Sequence, residues 1–130
     1  MTQLRPITVL IVDDSALIRQ CLRRLLAELP SVQVVAEAEN AEGAIAAFDR
    51  LCPDAAILDL ELRQSAGMDV LDHIKRVRPA CLTVVLTTLA VAETRRLCLE
   101  NGADYFLDKP TEFEQLLQIL SDASQPSSAK

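Results

Sequence analysis

Five short apolar runs limit what this chain can become. They lie at residues 7–12, 32–38, 55–58, 82–86 and 105–107. None is long enough for an ordinary helix, and several are rich in β-branched residues, so each reads as a strand. Between them, apolar residues return every three or four positions, the period of a helix buried on one side. The first such segment is the clearest. Ile18, Cys21, Leu22, Leu25, Leu26 and Leu29 share one face, while Arg19, Gln20, Arg23, Arg24 and Glu28 occupy the other, and Pro30 closes it. Strands buried on both faces and joined through helices demand right-handed crossovers. The expected fold is therefore α/β, a doubly wound five-stranded parallel sheet between two helical layers.

Local signals place the remaining helices. Asn40 opens one that carries Ala44, Ile45, Phe48 and Leu51 inward. A loop over 61–67 leads to another, with Val70, Leu71, Ile74 and Val77 inside and Pro79 just beyond. A helix over about 91–101 stops at Asn101-Gly102. The last begins at Thr111, with Glu114 completing a capping box, and ends near Asp122. Residues 1–122 form one domain, and the polar stretch 123–130 is expected to be a frayed tail.

Charge and composition exclude several function classes. A net charge of −6 is unsuited to a general nucleic-acid surface. No apolar run reaches membrane-spanning length, and the opening MTQLRPITVL lacks the apolar core of a signal peptide. Cys21, Cys52, Cys81 and Cys98 form no Cys-x-x-Cys pair, so the expectation is a cytoplasmic protein with buried, reduced thiols.

The chemistry gathers at the strand ends. Asp13 and Asp14 follow the first strand, Asp59 the third, Thr87 the fourth and Lys109 the fifth. In a parallel sheet these ends open on one side, where such folds bind ligands. Three carboxylates brought together there repel one another, and a hard divalent cation relieves the conflict. Oxygen ligands without His or Cys favour Mg²⁺. Lys109 adds a compact cation and Thr87 a hydroxyl donor, a set suited to a phosphoryl group on Asp59. Each residue alone has an ordinary explanation: the Asp13-Asp14 pair as a helix cap, Asp59 as a loop acid, Lys109 as a solvated charge, Thr87 as a strand residue. Only the conjunction is specific.

The segments VLIVDDSALIRQ, ILDLEL, VVLTT and GADYFLDKP resemble the response-regulator receiver domain, the CheY-like phosphoacceptor of two-component signalling. The resemblance covers roughly residues 6–122 and implies a flavodoxin-like three-layer sandwich. It implies that Asp59 is phosphorylated, that Asp14 binds Mg²⁺ directly and Asp13 largely through water, and that the backbone carbonyl of Glu61 is a further ligand. Thr87 and Lys109 match the switch hydroxyl and the phosphate-pairing lysine. Phe106 matches the aromatic switch position, whose ring turns inward when Thr87 moves towards the phosphate. The Lys109-Pro110 bond is usually cis in that family. Its first helix docks the partner that carries phosphohistidine, which makes Arg19 and Arg23 docking candidates.

The chain also departs from the family pattern. Arg63 replaces the usual proline after the phosphoacceptor. Thr88 stands where a small residue is preferred, beside the phosphate entrance, and is expected to slow phosphoryl transfer or loss. Glu61 and Leu89 occupy positions that tune hydrolysis. His73, the single histidine, is expected on the surface without ligands around it.

The resemblance implies a phosphorylation-operated switch rather than an enzyme, with at most self-phosphorylation from small donors and slow self-dephosphorylation. Its donor would be a histidine kinase or histidine phosphotransfer protein. Its output would be a changed protein-binding surface, including pairing of two activated copies. The short polar end favours a stand-alone receiver over a fragment of a longer regulator. An aspartate-nucleophile phosphatase of the haloacid dehalogenase type is the weaker alternative, because Asp59-Leu60-Glu61 only echoes its Asp-x-Asp pair. A degenerate receiver that merely binds partners is a further one.

Overall fold

The computed structural model describes residues 5–62, 65–88 and 91–124, with the backbone alone at 65, 110 and 111. The first three apolar runs form β1 (Ile7–Val12), β2 (Val32–Ala38) and β3 (Ala55–Leu58). A two-residue pair, β4 (Glu61–Leu62) and β5 (Ser65–Ala66), folds the loop after β3 into an antiparallel clip. The last two sheet strands are β6 (Leu82–Thr87) and β7 (Tyr105–Asp108). The main sheet is parallel throughout, in the order β2-β1-β3-β6-β7. The helices are α1 (Ala16–Leu26), α2 (Ala41–Leu51), α3 (Gly67–Val77), α4 (Ala92–Glu100), α5 (Lys109–Glu112) and α6 (Gln115–Ala123).

Alternation along the strands builds two separate cores. Val9 and Ile11 of β1 pack with Leu22 and Leu26 of α1 and with Leu116 and Leu120 of α6. Leu10 and Val12, one residue out of phase, pack with Phe48 of α2 and with Val70, Leu71 and Ile74 of α3. A period of two thus sends neighbouring residues to opposite faces, and both faces are covered. All four residues of β3 are buried, as its central place in the sheet requires.

Caps fix the helix starts. Ser15 Oγ accepts from Ile18 N–H at 3.2 Å, and Asn40 Oδ1 accepts from Gly43 N–H at 2.8 Å. Cys52 ends α2 in the left-handed region, at φ 47°, where glycine is the usual residue.

Several local expectations are corrected. Helix α1 stops at Leu26 with Ala27 as cap, three residues before Pro30. The final helical stretch starts earlier than Thr111 and is broken into α5 and α6. The Thr111–Glu114 capping box involves the Thr111 side chain, which lies outside the described residues; Glu112 reaches back to accept from Asp108 N–H at 2.8 Å. Cys81 and Cys98 are buried, but Cys21 and Cys52 are exposed. His73 is not a free surface residue. Only 16% of its side chain is exposed; its ring meets Phe48 edge-on and its Nε2 lies 2.7 Å from Asp49 Oδ1. Arg63, Gln64, Leu89 and the tail beyond Ser124 lie outside the described residues.

Candidate functional site

The sheet order reverses between β1 and β3. β1 is followed outward by β2, and β3 is followed in the other direction by β6. The two strands diverge in connection at their carboxyl ends, which opens a crevice there. Asp13 continues β1 and Asp59 continues β3, so the reversal brings both acids to that crevice. Their backbones remain tied to the sheet: Asp13 N–H donates to Ala38 O at 3.0 Å and Asp59 N–H to Val12 O at 2.9 Å.

One carboxylate oxygen from each of Asp13, Asp14 and Asp59 falls within 4.8 Å of the others. Asp13 and Asp59 are buried, at 2% and 6% exposure, and Asp14 is half-buried. Asp13 Oδ1 accepts from Ser15 N–H at 2.9 Å, and Asp59 Oδ1 accepts from Glu61 N–H at 3.2 Å. These bonds leave one oxygen of each acid for Lys109. Its ammonium donates to Asp13 Oδ2 at 2.8 Å and to Asp59 Oδ2 at 3.0 Å. Burial alone would favour the neutral amine, but the two carboxylates outweigh it and hold the Lys109 pKa above its ordinary value. Among the described residues no peptide bond is cis, and Lys109 points inward all the same.

Thr87 ends β6, beside β3, and is fully buried. Thr88 is exposed at the rim, where its hydroxyl lies 3.3 Å from Glu61 Oε1. Phe106 is already buried, with its ring facing the α2–α3 side of the sheet. The structure therefore joins Asp13, Asp14, Asp59 and Lys109 in one cluster, sets Thr87 at the adjoining strand end, and puts Glu61 and Thr88 on its edge.

Arg19 and Arg23 do not form a free basic face. Arg19 Nη1 donates to the carbonyl of Asp13 at 2.5 Å, its Nε to Glu37 at 3.3 Å, and Arg23 pairs with the same glutamate. Arg19 thus braces the acid turn from behind, a contact that sequence reasoning missed. Gly67 was missed too. A Cβ there would lie 2.3 Å from Asp59 O and 2.7 Å from Leu60 Cα, so only glycine lets α3 start so close to β3.

A doubly wound parallel sheet with an acid trio and a lysine at its switch point defines a class of α/β module whose polar site lies at the strand ends. The chain belongs to the response regulator receiver domain family, whose model matches residues 9–121. It is 35% identical over 112 residues to the protein-glutamate methylesterase/protein-glutamine glutaminase of Treponema pallidum, covering 85% of this chain and 28% of that protein. It is 32% identical over 124 residues to the nitrate/nitrite response regulator NarL of Escherichia coli, covering 95% of this chain and 57% of that protein. Among solved structures, the response regulator domain of Thermotoga maritima CheB superposes with a TM-score of 0.81 at 29% identity, covering 94% of this chain and all of that one. The chain is thus a receiver domain of the two-component response regulators, and it spans about a quarter to three fifths of these curated relatives. Among the described residues no helix is long and apolar enough to cross a membrane.

Proposed function

We propose that this receiver accepts a phosphoryl group on Asp59 and signals through a changed protein surface. The observation that carries the reading is the Lys109 ammonium bridging Asp13 and Asp59 beside Asp14. One ammonium faces three carboxylates, and all the donors are oxygens. That donor set fits a hard divalent cation such as Mg²⁺. Asp14, Asp59 and the Glu61 backbone carbonyl would hold it, with Asp13 acting largely through water. When bound, it supplies positive charge next to the oxygens of the incoming phosphoryl group.

The donor is a phosphohistidine on a histidine kinase or a histidine phosphotransfer protein. An Asp59 carboxylate oxygen attacks phosphorus, the phosphorus–nitrogen bond breaks, and its electron pair leaves with the imidazole. Lys109 then exchanges part of its bonding from Asp13 to a phosphoryl oxygen, and the Thr87 hydroxyl donates to another. The added charge, about −1.5 to −2, acts on Thr87 and Phe106 and so on the face formed by α4, β7 and the last helical stretch. Thr88 and Glu61 line the approach. Pairing between activated copies would use the same face, and a cytoplasmic site of action follows from the kinase partner. The relatives matched are longer proteins, so the stand-alone form expected from the sequence gains no support from them.

The test is incubation of the purified protein with acetyl phosphate and Mg²⁺, followed by intact-mass measurement. The expected result is one phosphoryl group on the wild type, none on Asp59→Asn, and loss of labelling on chelation. Equal labelling of the wild type and Asp59→Asn would overturn the assignment.

A further inference from the structure

Phe106 is gripped by a residue outside the acid cluster. The guanidinium of Arg95, on α4, lies over its ring at 5.6 Å from the centroid. The same group's Nη1 donates to the Phe106 backbone carbonyl at 3.2 Å. A cation over an aromatic face is drawn to the ring's negative quadrupole, and the flat guanidinium fork can serve the face and the carbonyl together. Among the described residues no carboxylate forms an ion pair with Arg95, whereas Arg96 beside it pairs with Glu100. Phe106 as a whole is 3% exposed. Phenylalanine has no hydroxyl with which to anchor an inward position, so the ring is held by packing and by Arg95.

We propose that Arg95 is the positioning residue of this switch. By holding both the ring and the carbonyl of Phe106, it keeps the ring buried before phosphorylation and ties α4 to that state. The inference rests on the reading of Thr87 and Phe106 as the responsive pair. It changes what phosphorylation has to do. The ring need not swing in from solvent, since it is already inside; the signal reaches α4 through the contacts of Arg95.

The experiment is ¹⁹F NMR on the full chain labelled with meta-fluorophenylalanine. The three phenylalanines, Phe48, Phe106 and Phe113, are separated by assigning Phe106 through Phe106→Leu. In the wild type one narrow Phe106 resonance is expected. Arg95→Met keeps an apolar stem without the charge. It should add a solvent-shifted or broadened Phe106 population, with the inward-to-outward ratio falling roughly two- to fivefold. Arg95→Lys should restore most of the wild-type signal, and Phe48 should not move in either variant. A Phe106 resonance in Arg95→Met that matches the wild type in shift and width would overturn the proposal. Beryllofluoride with Mg²⁺ should shift the wild-type Phe106 signal more than that of Arg95→Met. Absence of acetyl phosphate labelling on the wild type would count against phosphorylation at Asp59; the ring measurement needs no phosphoryl mimic and would still decide the role of Arg95.

Discussion

Gly67 stands so close to Asp59 that a single added carbon would meet the aspartate's own carbonyl oxygen at 2.3 Å. The atoms in the way are backbone, of Asp59 and Leu60, and backbone cannot rotate aside. Gly67→Ala must therefore push the start of α3 away from the end of β3. We expect a loss of about 1–3 kcal/mol, the range for overpacking a tight site. Because the crowded backbone is that of Asp59 itself, phosphorylation should slow as well. Urea unfolding and acetyl phosphate labelling of the same variant check both parts. A stable variant with normal labelling would show that the loop yields without strain.

Lys109 neutralises part of a cluster that would otherwise be three acids. Lys109→Met removes the charge and keeps the length of the stem. Without added cation, the variant should lose about 1–3 kcal/mol. That figure lies below the cost of breaking a fully buried pair, because 13% of the lysine side chain remains exposed. Millimolar Mg²⁺ should return much of the loss, since a divalent ion answers the same repulsion. Thermal melts with and without Mg²⁺ measure this directly. A variant that is equally stable in both conditions would mean the trio holds no cation.

Thr88 and Glu61 approach each other across the rim of the site at 3.3 Å. Thr88→Ala removes both the hydroxyl and the bulk, leaving Glu61 free to swing outward. Labelling by acetyl phosphate and the subsequent decay of the phosphoprotein should both quicken, by a few-fold. Unchanged rates for both steps would end the idea that Thr88 restricts access.

The thiols test burial without reference to function. Burial pushes the Cys81 thiol up to about 11 and raises that of Cys98 as well. Cys21 and Cys52 are exposed. A thiol reagent at neutral pH should therefore modify two cysteines in the native protein and four in denaturant. Rapid modification of all four under native conditions would contradict the packing of α4 and of the turn before β6.

The main sheet was legible because its strands are short apolar runs with turns at fixed places, and no competing period exists in those segments. The acid trio and Lys109 were legible for the same reason, since strand ends in a parallel sheet share a side. What escaped depends on side chains that cross between elements. Helical periodicity assigned Arg19 to a polar face, but a long side chain at the edge of that face can fold back, and Arg19 reaches the Asp13 carbonyl. His73 likewise leans off α3 onto Phe48 and Asp49 of α2. Cys21 sat on the apolar stripe of α1 but falls at its exposed margin. The Arg95–Phe106 contact joins residues with no periodic relation at all. The break between α5 and α6 left no mark in the apolar spacing of that segment, and neither did the bond from Asp108 N–H to Glu112.

Asp54, at the opposite end of the sheet from the acid trio, governs a separate pH response. Burial raises its pKa, but the Arg5 guanidinium and the Thr8 amide and hydroxyl more than offset this, and the net shift is downward from 3.8. The bonds measure 3.1 and 3.2 Å from Arg5, and 2.8 and 3.1 Å from Thr8. A carboxyl with a lowered folded pKa gives stability that is complete above its unfolded value and vanishes as pH falls through the folded one. The Asp54 contribution should thus be constant at neutral pH and disappear below 3.8. Asp54→Asn keeps an acceptor for Thr8 but loses the charge. It should be less stable than the wild type near neutrality, and the difference should close on acidification. Urea midpoints for both proteins between about pH 3 and pH 7 trace this. A stability gap that stays constant across that range would mean that the Arg5 and Thr8 contacts do not favour the charged form.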